Sequence, residues 1–261
     1  MTLLSAGVVR VAHRTSLAVL AFAALLTGCG TKDAADPLIP SAFGRIRFVN
    51  LSFDADTTRG KVNAILESVP FGVDLAYGRS APAFLPSPAT AIYSPILTGT
   101  RTLVLKRTAD TSTTIATIPL TIANAVDYTV YATGTAPGVT PFITADTNST
   151  PASGQVRVRV VHMAPSAGNV DVFVTAVGAD LALATPALAN VALRASAYLS
   201  VAAGTYQVRV VPAGTAPAAR AANVAINLAS IALAANSART IIAADNSAGG
   251  APFRFITLAD R

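Results

Sequence analysis

The chain of 261 residues has one cysteine, no tryptophan, two histidines and three lysines. Each scarcity removes a class of function. A single thiol closes no disulfide within one chain, so an exported form has to rely on its hydrophobic core. Two histidines and one cysteine fall short of a tetrahedral zinc set, which draws on three or four such ligands. Without tryptophan, only Tyr and Phe remain as stacking platforms for sugars. Charged residues make up 12%, and the formal net charge of +6 is scattered rather than gathered into a dense run. Nucleic acid is therefore not an expected partner. No G-x-S-x-G nucleophile turn occurs either.

What is present begins with an address. Arg10 and Arg14 precede the apolar run "LAVLAFAALL" (17–26), and small residues follow it. Ten apolar residues are about half of what a spanning helix needs. They suit the h-region of an export signal. The lone cysteine sits just beyond, in "LTGC" (26–29), which resembles the lipobox of bacterial lipoproteins. That resemblance implies a signal peptide over 1–28 and a lipidated (palmitate-bearing) Cys29 as first mature residue and membrane anchor. Gly30 after it, rather than aspartate, implies the outer membrane, on its periplasmic or cell-surface face. The alternative is an ordinary cleaved signal with a chance cysteine. Each buried methylene contributes about 0.8 kcal/mol, and stable anchoring takes more than one chain. A multiply acylated Cys29 would meet that need without a helix. Residues 29–43 carry two prolines and little periodicity, as a tether does.

The exported part repeats itself. "GRIRFVNLS" (44–52) returns as "VRVRVVHMA" (156–164), with Arg45-Ile46-Arg47 aligned on Arg157-Val158-Arg159 at an offset of 112. "LTGTRTLVLKR" (97–107) matches "VAAGTYQVRVV" (201–211), and "VDYTVYATG" (126–134) matches "ARTIIAADN" (238–246). Three blocks in the same order predict a tandem duplication. The domains are expected at 44–146 and 154–261, joined by a polar linker at 147–153. Within each copy the strands alternate. Val156, Val158 and Val160 face one way while Arg157 and Arg159 face the other, which predicts a strand with one wet face. Val208 and Val210 alternate with Gln207 and Arg209 in the same manner. Short strands with frequent turn signals predict an all-β chain of two tandem antiparallel β-sandwiches. The Ala/Leu-rich stretch 178–193 leaves room for a helical turn that Pro186 would limit.

"RVRVVHMAPSAGNVDVFV" (157–174) and "VAAGTYQVRVVPAGT" (201–215) together resemble the bacterial domain of unknown function 4397. The likeness extends over roughly 44–258 and is looser in the first copy, where Asn50 replaces the histidine. It implies two immunoglobulin-like β domains on an exported, often surface-attached protein, and no established enzymatic activity.

Candidate chemistry is sparse. His162, with Asp171 nearby, is expected to end a strand and bond a turn backbone rather than catalyse. Asp54 and Asp56 in "DADTTRG" (54–60) place oxygens at alternate positions, as calcium loops do. Gly60 is one place late for an EF-hand and Ile65 stands where its glutamate belongs, so a solvated loop is the expectation. Phe173, Tyr198, Tyr206, Tyr128 and Tyr131 fall on strand patterns and are expected in the core. No catalytic residue, metal or cofactor is expected. The expected function is a non-catalytic, lipid-anchored envelope protein with a structural or adhesive role. The alternative is a ligand- or polysaccharide-binding lipoprotein of a transport or assembly system, with an envelope protein or polysaccharide as partner.

Overall fold

Residues 42–52, 61–82, 93–135 and 138–260 are described by a computed structural model. The signal segment 1–28, Cys29, most of the tether, and Asp54 and Asp56 lie outside these residues. Among the described residues every regular element is a strand, apart from three short 3-10 turns.

The first half contains β1 (Phe43–Ser52), β2 (Val62–Leu66), β3 (Val69–Leu75), β4 (Ser80–Ala81), β5 (Ser94–Leu97), β6 (Gly99–Arg107), β7 (Asp110–Ile122), β8 (Asp127–Gly134) and β9 (Thr140–Asp146). The second contains β10 (Gln155–Met163), β11 (Val170–Thr175), β12 (Leu188–Val191), β13 (Ser196–Ala202), β14 (Gly204–Pro212), β15 (Ile226–Leu233), β16 (Ala238–Ala244) and β17 (Arg254–Ala259). Each half is a sandwich of two sheets. The inner sheets run β5-β1-β8-β9, with β4 also on β1, and β13-β10-β16-β17. The outer sheets run β3-β2-β6-β7 and β12-β11-β14-β15. The two halves therefore share one strand order. The sheets are antiparallel except for one pairing in each inner sheet, β1 with β8 and β10 with β16, which is parallel.

Those parallel pairs also correct the repeat. Arg45 lies opposite Asp127 and Arg157 opposite Ala238, so Thr129 corresponds to Thr240. The last matched block is thus one residue out of the register read from the sequence. The stretch 178–193 forms turns and then β12.

Period-two alternation builds each sandwich core. Ile46 and Phe48 of β1 meet Val62, Leu103, Leu105 and Ile118 of the first outer sheet. Val156, Val158 and Val160 of β10 meet Val172, Val208 and Val210 of the second. Near the start of β1, position 44 is held to glycine because a Cβ there would lie 2.6 Å from the Ile122 side chain and 2.8 Å from the Ala123 carbonyl oxygen.

The other face of the inner strands is not wet. Val49 and Leu51 of β1, Tyr131 of β8, Val161 and Met163 of β10, Ile242 of β16 and Leu258 of β17 form a third, fully buried core between the two sandwiches. Among the described residues the four sheets stack on one another. Arg159, expected to face solvent, is buried at 1% exposure, and Arg47, its counterpart in β1, at 3%. Arg209, also expected outward, is buried beneath the segment after β11, donating to the Thr175 hydroxyl (2.9 Å) and the Ala179 carbonyl (2.7 Å). Of the paired Arg-x-Arg residues in β1 and β10, Arg45 and Arg157 keep access to water. The linker is held to both halves: Asn148 donates to Asp127 (2.5 Å), and Arg157 donates to the Thr147 carbonyl (2.9 Å) and the Ser149 hydroxyl (2.8 Å).

Candidate functional site

Among the described residues, polar or cavity-forming groups concentrate in at least three places. The first lies where the inner sheets meet. Arg47 donates to Asp260 of the other half (2.8 Å), to the Ala259 carbonyl (2.8 Å) and to Thr129 of its own half (3.2 Å). Arg159 reciprocates: it donates to Asp146 of the first half, to Thr144 (3.0 Å) and to Thr240 of its own half (2.9 Å). Thr129 and Thr240 in turn donate to Asp146 and Asp260. The cross terms are longer, with Arg47 at 3.7 Å from Asp146 and Arg159 at 3.8 Å from Asp260. Tyr93 and Tyr198 lie against the guanidinium groups of Arg47 (4.6 Å) and Arg159 (5.6 Å). Two arginines and two aspartates thus form a near-symmetric square in which each half supplies the counter-ion of the other.

Charge balance holds this square ionised. Burial works against the Arg159 charge, but Tyr131 and Asp146 outweigh it and its pKa is raised. Burial likewise pushes the Asp146 carboxyl up, yet Arg159, Arg47 and the Thr129 hydroxyl hold it below the usual carboxylate range. A carboxylate pinned in this way neither donates a proton nor takes one near neutrality. The geometry suits cohesion rather than acid–base work.

The second place is the end of β10. His162 is 1% exposed. Its Nε2 lies 2.7 Å from the Gly168 carbonyl oxygen, and its Nδ1 faces the Ala164 N–H at 3.4 Å. The tautomer with the proton on Nε2 satisfies both contacts. Asn50, at the corresponding place in β1, does the same two things: its Nδ2 donates to the Leu75 carbonyl (2.9 Å) and its Oδ1 accepts from the Ser52 N–H (3.0 Å). Ser166 donates to Asp245 (2.8 Å) and not to His162, so these two residues form no relay. Asp171 accepts from the Asn190 N–H (2.8 Å), fastening β11 to β12. Burial lowers the His162 pKa below its ordinary 6.5. The unfolded chain therefore binds the proton first, and the stability this residue contributes above about pH 6.5 declines as pH falls below it. His162→Asn should leave the melting temperature at pH 7 nearly unchanged and flatten that acid-side decline. His162→Leu should cost about 1–3 kcal/mol in urea unfolding, because it strands the Gly168 carbonyl.

The third place is a cleft of about 520 Å³ at one edge of the first sandwich, between β3 and β5. Val69, Pro70, Phe71, Pro95, Ile96 and Leu97 line it, with Glu67 and Arg101 as its charged members. Arg101 is tied to the Leu97 (2.9 Å) and Thr98 (2.7 Å) carbonyls and lies 3.8 Å from Glu67.

Among the described residues no three His, Cys, Asp or Glu side chains are grouped to hold a metal ion. No helix among them is long and apolar enough to cross a membrane. Of the aromatic residues expected in the core, Tyr131 and Phe173 are fully buried, Tyr128 and Tyr206 are half-buried, and Tyr198 is 39% exposed. Sequence reasoning missed the Arg–Asp square. Its one signal was the pair "AD" ending both halves, at 145–146 and 259–260, beside the paired Arg-x-Arg strands.

A search of curated proteins finds no match. Among solved structures, a leucine-rich repeat protein from Bacteroides thetaiotaomicron is 14% identical at a TM-score of 0.20, with 77% of this chain and 26% of that one covered. The chain thus spans about a quarter of that protein's length. Family 41 carbohydrate-binding modules from streptococcal virulence factors, which recognise alpha-glucan, are 10% identical at a TM-score of 0.22, over 76% of this chain and 92% of theirs. One family model matches, the Domain of unknown function (DUF4397), over residues 69–173. That span runs from β3 across the linker to β11 and takes in most of the 157–174 segment.

Proposed function

We propose that this protein is a non-catalytic module of the bacterial envelope, held on the outer membrane by lipid at Cys29, with a structural or adhesive role. The observation that carries the reading is the reciprocal square of Arg47, Asp260, Arg159 and Asp146 between two face-to-face sandwiches. Two β-sandwiches in tandem would normally be joined by a mobile hinge. Here the polar side chains most able to do chemistry are used to fix one half on the other. A body built in this way transmits force and presents loops at fixed spacing, which is what a spacer or adhesin requires. The shared strand order of the halves supports descent from one duplicated domain, with the second half as a further copy of the same family. The lipobox-like "LTGC" supplies the attachment.

The anchor is tested by replacing Cys29 with serine and fractionating cells. The expected result is loss of the protein from the membrane fraction and accumulation of the unprocessed chain. Equal membrane association of the variant would overturn the anchor.

One observation favours the alternative, a ligand-binding lipoprotein: the apolar cleft between β3 and β5 has the volume of a small-molecule site. Among the described residues Phe71 is its one aromatic lining residue, which suits an apolar ligand better than a polysaccharide. Calorimetric titration with soluble glycans is expected to show no heat attributable to this cleft. Saturable glycan binding abolished by Phe71→Ala would favour the alternative.

A further inference from the structure

We infer that β13 (Ser196–Ala202) is a self-association edge, through which a second copy of this chain extends the second inner sheet. The reasoning starts from how every other sheet edge among the described residues is guarded. An unguarded edge strand presents unpaired N–H and C=O groups and templates pairing with another chain. β3 carries Pro70 and Asp74 and a shifting register; β7 carries Pro119 and register shifts. β5 has four residues including Pro95, β4 has two, and β9 holds Pro141 and Asp146. β12 has four residues and a shift, β15 is bulged opposite β14, and β17 opens on Arg254. Only β13, "SAYLSVA", has seven residues with no charge, no proline and an unbroken register against β10.

The direction of its free groups follows from the ladder. The Ala203 N–H donates to the Gly154 carbonyl, one step beyond the pair Gln155 and Ala202. In an antiparallel pair every second residue exchanges hydrogen bonds with its partner. Val201, Leu199 and Ala197 therefore bond to β10, while Ser196, Tyr198, Ser200 and Ala202 turn their N–H and C=O outward. The Tyr206 hydroxyl already occupies the Ala202 carbonyl (2.9 Å), which closes that end. The open stretch is 196–200. Its outward-facing residues, Ser196 and Ser200, are exposed, and Tyr198 is 39% exposed between them.

A second copy fits this stretch because the stretch is symmetric about Tyr198. Under an antiparallel two-fold, the N–H of Ser196 meets the C=O of Ser200 of the second copy, and the converse holds. Tyr198 pairs with itself across the axis, so two half-exposed rings cover each other. Arg194, the nearest exposed charge in sequence, falls opposite Ala202 of the second copy and meets no like charge. The equivalent edge of the first half is β5, whose brevity and Pro95 forbid the same contact.

The test is sedimentation equilibrium of residues 30–261 across a wide concentration range, beside two variants. Ser200→Pro removes an outward N–H without touching the β10 ladder. Paired Ser196→Lys and Ser200→Lys set like charges opposite each other across the axis. The expected result is a concentration-dependent dimer for the natural sequence. Each variant should weaken it about tenfold or more, with circular dichroism and melting of the monomer preserved. A natural sequence that stays monomeric at the highest concentration would overturn the proposal. So would a dimer that both folded variants leave intact.

Discussion

Asp146→Asn is expected to destabilise the protein by about 3–5 kcal/mol, the usual consequence of leaving one member of a buried ion pair without its counter-charge. Asp146 accepts from Arg159, Thr129, Thr144 and Tyr93, and its side chain is fully enclosed. Asparagine preserves shape and some hydrogen bonding but removes the charge. The counter-charge left to Arg159 is then Asp260, at 3.8 Å. The pairing of Arg159→Met with Asp146→Leu is expected to recover most of the loss, because apolar groups of similar volume replace a buried ion pair at little net cost. The pH dependence has a definite sign. The folded Asp146 pKa lies below its ordinary 3.8, so its contribution is complete above about pH 4 and is lost as pH falls through the folded value. Urea unfolding at a series of pH values should show this acid-side slope in the natural protein and a shallower one in Asp146→Asn.

The second large effect is expected at the apolar core between the halves. Val161 is fully buried there beside Met163, Ile242 and Val49. Val161→Asp should cost about 4 kcal/mol or more, since a carboxyl at that place is either buried charged or forced to keep its proton. The loss should be selective. Each sandwich has a separate core, built around Phe48 and Leu103 in one half and Val158 and Val210 in the other. The variant is therefore expected to lose the joint before it loses either half, giving two thermal transitions. A variant that melts in one transition, with both halves lost together, would contradict that independence.

The sandwich cores were legible in the sequence because they use strict period-two alternation, as in Val156, Val158 and Val160. What was not legible was the role of the opposite face. Arg157 and Arg159 read as solvent-facing, since alternation reports only that two faces differ and not what covers the second. The correcting signal lies further along the same strand, where the arginine face continues as Val161 and Met163. An apolar continuation on both faces is the mark of a strand buried on both sides. His162 was legible for a different reason. Its exchange with Asn50 between halves restricts it to what both side chains do, namely one bond given to a carbonyl and one accepted from an N–H. The Arg–Asp square was hidden because its members are far apart in sequence, with Arg47 meeting Asp260 across nearly the whole folded chain.

The central claim is that two sandwiches behave as one body. Differential scanning calorimetry of residues 30–261 at pH 7 tests it most directly. The account predicts a single transition whose van't Hoff and calorimetric enthalpies agree, as for one cooperative unit. Two resolved transitions, or a calorimetric enthalpy near twice the van't Hoff value, would mean that the halves melt independently, and would contradict it.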